Sequence, residues 1–224
     1  MAASFPRRSI LLIALIAMGI AALLPFDQGL RLLSGGRDTL HILLMGLLAL
    51  AGGFFAQKAG LTSVANFRVG LLWALGMAAY VLVLDGVLMR PMVPPTIVAF
   101  GHASLPGRLA AYMARAFNES VIYRLFLFGE LVAMCRALRS GRPLAPALVL
   151  VLALLAQMAN IAFNVALIEQ GSISSAMLLY WSLRYVLPGV VWGWLYWRHG
   201  FVTTEIASTG VHVFLQPMVT LVLG

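Results

Sequence analysis

The chain has 224 residues, of which 62% are hydrophobic and only 10% are charged. A soluble globular domain carries roughly 25% charged residues, so this composition argues against one. The formal net charge of +8 comes without a basic cluster interleaved with aromatic residues, which argues against nucleic-acid binding.

Apolar stretches follow one another along almost the whole chain, and each is long enough to cross a bilayer, which takes about 20 residues. In chain order the predicted spans cover residues 9–25, 39–57, 69–89, 109–137, 144–168, 175–197 and 202–223. Proline residues in the segment 90–95 end the third span, and Pro188 and Gly189 predict a bend in the sixth. The sequence therefore predicts an all-α polytopic transmembrane bundle of about seven spans, within a range of six to eight. It forms a single membrane-embedded domain over residues 1–224.

Basic residues are distributed unequally between the two sets of alternating span ends. One set holds eight: Arg7, Arg8, Lys58, Arg68, Arg136, Arg139, Arg142 and Arg198. The other set holds four: Arg31, Arg37, Arg90 and Arg108. Because cytoplasmic loops are enriched in Lys and Arg, the sequence predicts a multi-pass protein of the cytoplasmic membrane with its N-terminus inside.

Polar side chains recur at helical spacing inside the fourth, fifth and seventh spans. The first stripe holds Arg115, Glu119 and Tyr123, and Glu130 returns to it further along. The other two stripes are Gln157, Asn160 and Asn164, and then Glu205, His212 and Gln216. Since ionisable groups in a bilayer are costly and usually functional, we expect the three stripes to face one polar cavity.

Structural roles are open for the same residues. Arg115 and Glu119 have the spacing of an ion pair within one helix. The amides could join helices by hydrogen bonds, and His212 could bond Glu205. Asp85, Glu130 and Arg184 are interpreted as structural.

The run Asn118–Arg124 (NESVIYR) resembles the first signature, EExxxR, of the CPBP family of CAAX proteases and bacteriocin-processing enzymes. Residues 188–200 look like the family's glycine-rich helix and turn, and His212–Gln216 is similar to its closing HxxxN signature. The resemblance covers residues 109–224, whereas residues 1–108 carry no signature.

The resemblance implies a membrane endopeptidase that hydrolyses a peptide bond of a membrane-associated peptide or protein. Glu119 would be the general base that activates water. Arg124 takes the place of the signature Arg and His212 that of the last signature His. Gln216 stands where Asn is usual.

Two departures from the family pattern leave alternatives open. Ser120 occupies the second Glu position, and Asn160 stands where the middle signature, FxxxH, has His. With that imidazole missing we expect no metal site and no cofactor. The chain is then either a peptidase or a catalytically degenerate relative that binds a peptide or lipid, or scaffolds a partner. A small transporter subunit is a third hypothesis.

Overall fold

The computed structural model describes residues 5–24, 34–166 and 174–223, and within these ranges every regular element is helical. The elements are α1 (Arg7–Leu23), α2 (Asp38–Ala59), α3 (Phe67–Val83), α4 (Pro95–Gly101), α5 (Leu105–Glu119), α6 (Gly129–Leu138), α7 (Pro146–Ile161), α8 (Ser175–Trp181), α9 (Leu187–His199) and α10 (Phe201–Leu223). Residues 25 and 167–168, at the ends of two predicted spans, lie outside the described residues.

Several helices run into π-helical turns, in which the backbone bonds from residue i to i+5. Leu84–Leu88 extends α3, and Ala162–Ala166 extends α7. Ser120–Phe128 joins α5 to α6, and Ser182–Val186 joins α8 to α9. The π turns of Ser182–Val186 directly precede Pro188, where the sequence predicts a bend. Pro188 has no amide hydrogen for the carbonyl four residues earlier, so the regular ladder is interrupted there.

Within the part of the chain that the structure describes, three helical stretches are long and apolar enough to cross a membrane: Asp38–Ala59, Phe67–Leu88 and Pro146–Asn164. Their outer faces are apolar, as Leu47 and Leu72 illustrate with exposed fractions of 60% and 61%. A helix with apolar residues on its outer as well as its inner face suits a lipid environment. The short helix α4, which begins at Pro95, was not predicted, although proline favours the first turn of a helix.

The helices pack so that the middle of the chain lies inside. The segment 120–128 packs between α2 and α7, while α3 packs against α10 and α7 packs against α9. Gly52 allows a close approach of α2 to this segment, because a Cβ there would lie 2.8 Å from the backbone nitrogen of Phe126. This contact of α2 with the segment 120–128 keeps residues 119–124, which match the family's first signature, inside the bundle.

Candidate functional site

A cavity of about 410 Å³ lies in the interior, where α3, α4, α5, α7, α9 and α10 meet. Most of its wall is apolar and includes Met77, Ile97, Phe100, Val211 and Trp192. Its polar lining consists of Tyr112, Arg115, Glu119, Arg124, Gln157, Asn160, Asn164, Arg184, Tyr185, Ser208 and His212. Four of the five predicted site residues, Glu119, Asn160, His212 and Arg124, therefore line one cavity.

Glu119 is the last residue of α5, and both of its carboxylate oxygens have partners. Arg115, one turn earlier, places its Nε 2.7 Å from Oε1. Asn160 of α7 places its Nδ2 3.5 Å from Oε2. The first contact is the ion pair within one helix that the spacing allowed. The second joins α5 to α7 through Glu119 and through Asn160, the residue that stands where the family pattern has His.

A chain of amides extends from Asn160 along α7. Asn164 Nδ2 donates to Asn160 Oδ1 at 2.8 Å and lies 3.1 Å from the hydroxyl of Tyr123. On the other side, Asn160 Nδ2 lies 3.5 Å from Gln157 Oε1, and Gln157 donates to the carbonyl of Tyr185 at 3.1 Å. Because buried polar groups need partners, this network fixes the orientation of Asn160.

Gly189 makes room for this network. A Cβ at position 189 would overlap the side chain of Gln157. Gly189 belongs to the run 188–200, which resembles the family's glycine-rich helix. Its lack of a side chain lets α9 approach the face of α7 that carries the amide side chains.

Arg124 lies in the π-helical segment and is buried. Its Nη1 donates to the hydroxyl of Ser120, which in turn donates to the carbonyl of Ala116 at 2.9 Å. Arg124 also interacts electrostatically with Glu205 of α10 and with Glu119. The Glu205 carboxylate of α10 thus lies near Ser120, which occupies the position of the second Glu in the family's first signature.

His212 lies flat against Tyr112, with ring centroids 5.1 Å apart and planes 13° apart. Its Nδ1 is buried and has no hydrogen-bond partner among the residues described. Tyr112 meets Phe100 edge-on at 5.2 Å. Among the residues described, no hydrogen bond joins His212 to Glu205, and the imidazole is oriented by its stacking on Tyr112.

Four predicted members of the polar stripes are not among the residues that line the cavity: Tyr123, Glu130, Glu205 and Gln216. Gln216 is buried one turn beyond His212 and is not among the residues that line the cavity. Glu130 is also absent from the lining, because the π-helical turns of residues 120–128 shift the helical phase between it and Glu119. A stripe extrapolated at 3.6 residues per turn therefore fails across this segment.

Other lining residues were not predicted to belong to the cavity. Tyr112 precedes Arg115 by three residues and Glu119 by seven, a helical spacing that would have placed it there. Arg184 reaches the cavity from the π turns between α8 and α9, where the spacing of residues gives no comparable signal. Its Nε donates to Asp85 Oδ2 at 2.9 Å, so two of the three residues interpreted as structural form an ion pair between helices.

The donor set of the cavity is one carboxylate, one imidazole, amides, hydroxyls and guanidinium groups. Among residues 5–24, 34–166 and 174–223, no three His, Cys, Asp or Glu side chains come together as metal ligands. No family model, no curated protein and no solved structure matches the chain.

Proposed function

We propose that the protein is an intramembrane endopeptidase, similar to the CPBP family, that uses Glu119 to activate water. The observation that carries this proposal is the meeting of the Glu119 carboxylate, the Asn160 amide and the His212 imidazole at one cavity with apolar walls. An apolar wall strengthens electrostatic interactions with the charge that develops during peptide hydrolysis.

The proposed reaction needs only water and the peptide. Glu119 accepts a proton as the water oxygen attacks the carbonyl carbon, and the carbonyl oxygen becomes an oxyanion. The Asn160 amide and His212 stabilise that oxyanion, a contribution worth roughly 10²–10³ in rate for one donor. The C–N bond then breaks, and Glu119 returns the proton to the leaving amine.

The proposed setting is the cytoplasmic membrane, with about seven spans and the N-terminus inside. Hydrogen bonds link the segments that carry the larger set of basic residues. Gln57 Nε2 donates to the carbonyl of Phe5, and Arg136 donates to that of Ala59. This clustering supports the orientation, because basic residues are retained on the cytoplasmic side.

Glu119→Gln tests the proposal, since the amide keeps the shape and removes the base. Membranes with the wild type or with the variant are compared by mass spectrometry of membrane-associated peptides. We expect fragments that depend on the wild type to disappear in the variant. Glu130→Gln, which changes a glutamate outside the cavity lining, is the matched control and should leave the fragments in place. Fragments unchanged by Glu119→Gln would refute the mechanism.

A second candidate function, binding of a peptide or lipid without cleavage, is favoured by the Arg115 contact with Glu119. A carboxylate oxygen held by a guanidinium at 2.7 Å has less capacity to hold a water molecule. Ser120 and Asn160 also lack the carboxylate and imidazole of the family pattern.

Asn160→His distinguishes the two functions, with cleavage of membrane-anchored peptides and thermal stability in detergent measured together. A peptidase should gain cleavage that depends on Glu119, because an imidazole can transfer protons. A binder should stay inert and lose roughly 1–3 kcal/mol of stability through overpacking of the amide face. Gain of cleavage in the Asn160→His/Glu119→Gln double variant would contradict both expectations.

A further inference from the structure

A second cavity, of about 230 Å³, lies at the end of the bundle where α2, α6 and α9 finish. It is lined by Ala59, Gly60, Leu61, Val132, Arg136, Pro143, Leu144 and Trp197. None of these residues lines the cavity of Glu119, so this space has no part in the proposed hydrolysis.

Four segments of the chain meet at this end. Arg136 joins two of them, because its Nη1 donates to the carbonyl of Ala59 and its Nη2 lies 3.4 Å from that of Gly141. The amide of Phe201 bonds the carbonyl of Thr62 at 2.9 Å, which adds the α9–α10 connection. The N-terminal segment joins them through the bond from Gln57 to Phe5.

The charge of this end has one sign. Residues 5–8, 57–68, 136–145 and 196–201 contain eight of the 15 Lys and Arg residues and none of the seven Asp and Glu residues. Four of these cations are exposed and lie within four residues of a residue that lines the second cavity: Lys58, Arg139, Arg142 and Arg198. With no carboxylate in these segments to pair with, the four cations are available to an anion from outside.

The surroundings are those of a membrane interface. Trp197 lines the second cavity directly beside Arg198, and tryptophan is enriched where headgroups meet hydrocarbon. Below this level the sides of α2 and α6 are apolar, with Phe54 52% exposed and Met134 54% exposed. The ammonium of Lys58 lies 5.5 Å from the ring centroid of Phe54, so a cation and an apolar surface adjoin.

We propose that the second cavity binds the headgroup of one anionic phospholipid, whose acyl chains lie along α2 and α6. Arg136, anchored by two carbonyls, shapes the cavity, and the exposed cations around it attract the phosphate. A juxtamembrane Lys or Arg contributes roughly 1 kcal/mol to the attraction of an anionic lipid, or about fivefold in affinity. A zwitterionic lipid of the same chain length lacks this attraction.

The test uses native mass spectrometry of the full chain in detergent, titrated with phosphatidylglycerol or phosphatidylcholine of identical acyl chains. We expect one phosphatidylglycerol per chain to bind at least tenfold more tightly than phosphatidylcholine. The variant Arg142→Gln/Arg198→Gln removes two of the flanking charges. It should lower the affinity for phosphatidylglycerol by about 25-fold, because each charge contributes about fivefold. Both residues are exposed, and an unchanged unfolding temperature without lipid verifies that the variant folds.

Two controls remove the same number of charges. Arg37→Gln/Arg90→Gln acts at the opposite ends of α2 and α3, and Arg7→Gln/Arg8→Gln acts outside the segments that line the second cavity. Both should retain the wild-type affinity within about threefold. Equal binding of the two lipids would overturn the site, and so would an equal loss in either control. Displacement of the lipid by millimolar inorganic phosphate would indicate an adventitious anion site only and would also overturn it.

Discussion

Arg115 determines how much of Glu119 is available to a ligand or to water. Its guanidinium bonds one carboxylate oxygen at 2.7 Å, and the amide of Asn160 lies 3.5 Å from the other. The pair is partly exposed, with 38% of the Arg115 side chain accessible. Such a pair adds little to stability, so its main effect is on the reactivity of Glu119.

Arg115→Met should therefore raise Glu119-dependent cleavage while lowering stability by less than about 0.5 kcal/mol, the usual contribution of an i, i+4 pair. Cleavage of a membrane-anchored peptide and the unfolding temperature in detergent measure the two effects. Arg115→Lys keeps the charge and serves as the matched control, with cleavage close to that of the wild type. A drop in cleavage in the methionine variant would show instead that Arg115 holds Glu119 in its working position.

At the scale of helices, the contact of α2 with the π-helical segment depends on one glycine. A Cβ at Gly52 would meet two backbone atoms, the amide nitrogen of Phe126 at 2.8 Å and the carbonyl carbon of Leu125 at 2.9 Å. Backbone cannot move aside as the end of a side chain can, so added volume must separate the helices.

Gly52→Ala should lower stability by about 1–3 kcal/mol through this overpacking. Gly76→Ala is its matched control, since a Cβ there meets nothing within 4 Å and alanine favours a helix by up to about 1 kcal/mol. Thermal unfolding of the two variants in detergent compares them. Equal unfolding temperatures would mean that α2 and the segment 120–128 are not in close contact.

Long apolar helices were predictable from the sequence, whereas the direction in which their side chains face was predictable only within regular α-helix. The second and third spans were predicted at 39–57 and 69–89 and are helical over Asp38–Ala59 and Phe67–Leu88, because long apolar runs identify such segments. Side chains within one stretch of regular helix, such as Asn160 and Gln157, face the cavity as their spacing predicts. Across the π turns the spacing changes, and Glu130 leaves the predicted stripe for that reason.

Contacts between helices that are far apart along the chain could not be predicted from the sequence either. No spacing rule relates Tyr112 to His212 or Asp85 to Arg184, since the members of each pair belong to different helices. The stacking in one pair and the ion pair in the other depend on how the helices pack. The resemblance brought Ser120 and Asn160 to attention as departures, but it gave no indication that Glu205 approaches Arg124.

Across the whole molecule, Asp85 and Arg184 connect the end of α3 to the junction of α8 and α9. Arg184 Nε lies 2.9 Å from Asp85 Oδ2, and the Tyr180 hydroxyl lies 3.3 Å from Asp85 Oδ1. Removing one partner of a buried pair leaves an uncompensated charge, whereas replacing both by apolar residues is often neutral.

We therefore expect Asp85→Leu and Arg184→Met, each made alone, to lower stability by about 3–5 kcal/mol. The double variant Asp85→Leu/Arg184→Met should recover most of the loss. Thermal unfolding of the wild type, the two single variants and the double variant gives the coupling between the residues. Additive losses would indicate that the two side chains do not interact.

The order of Glu119, Asn160 and His212 along the chain has a consequence for biogenesis. His212 lies on α10, which packs against α3 and α5 and begins only after residue 200. A ribosome completes Glu119 and Asn160 well before it reaches His212, so a nascent or interrupted chain holds the carboxylate and the amide without the imidazole. The candidate site is therefore assembled only after α10 has been synthesised and has packed against the earlier helices.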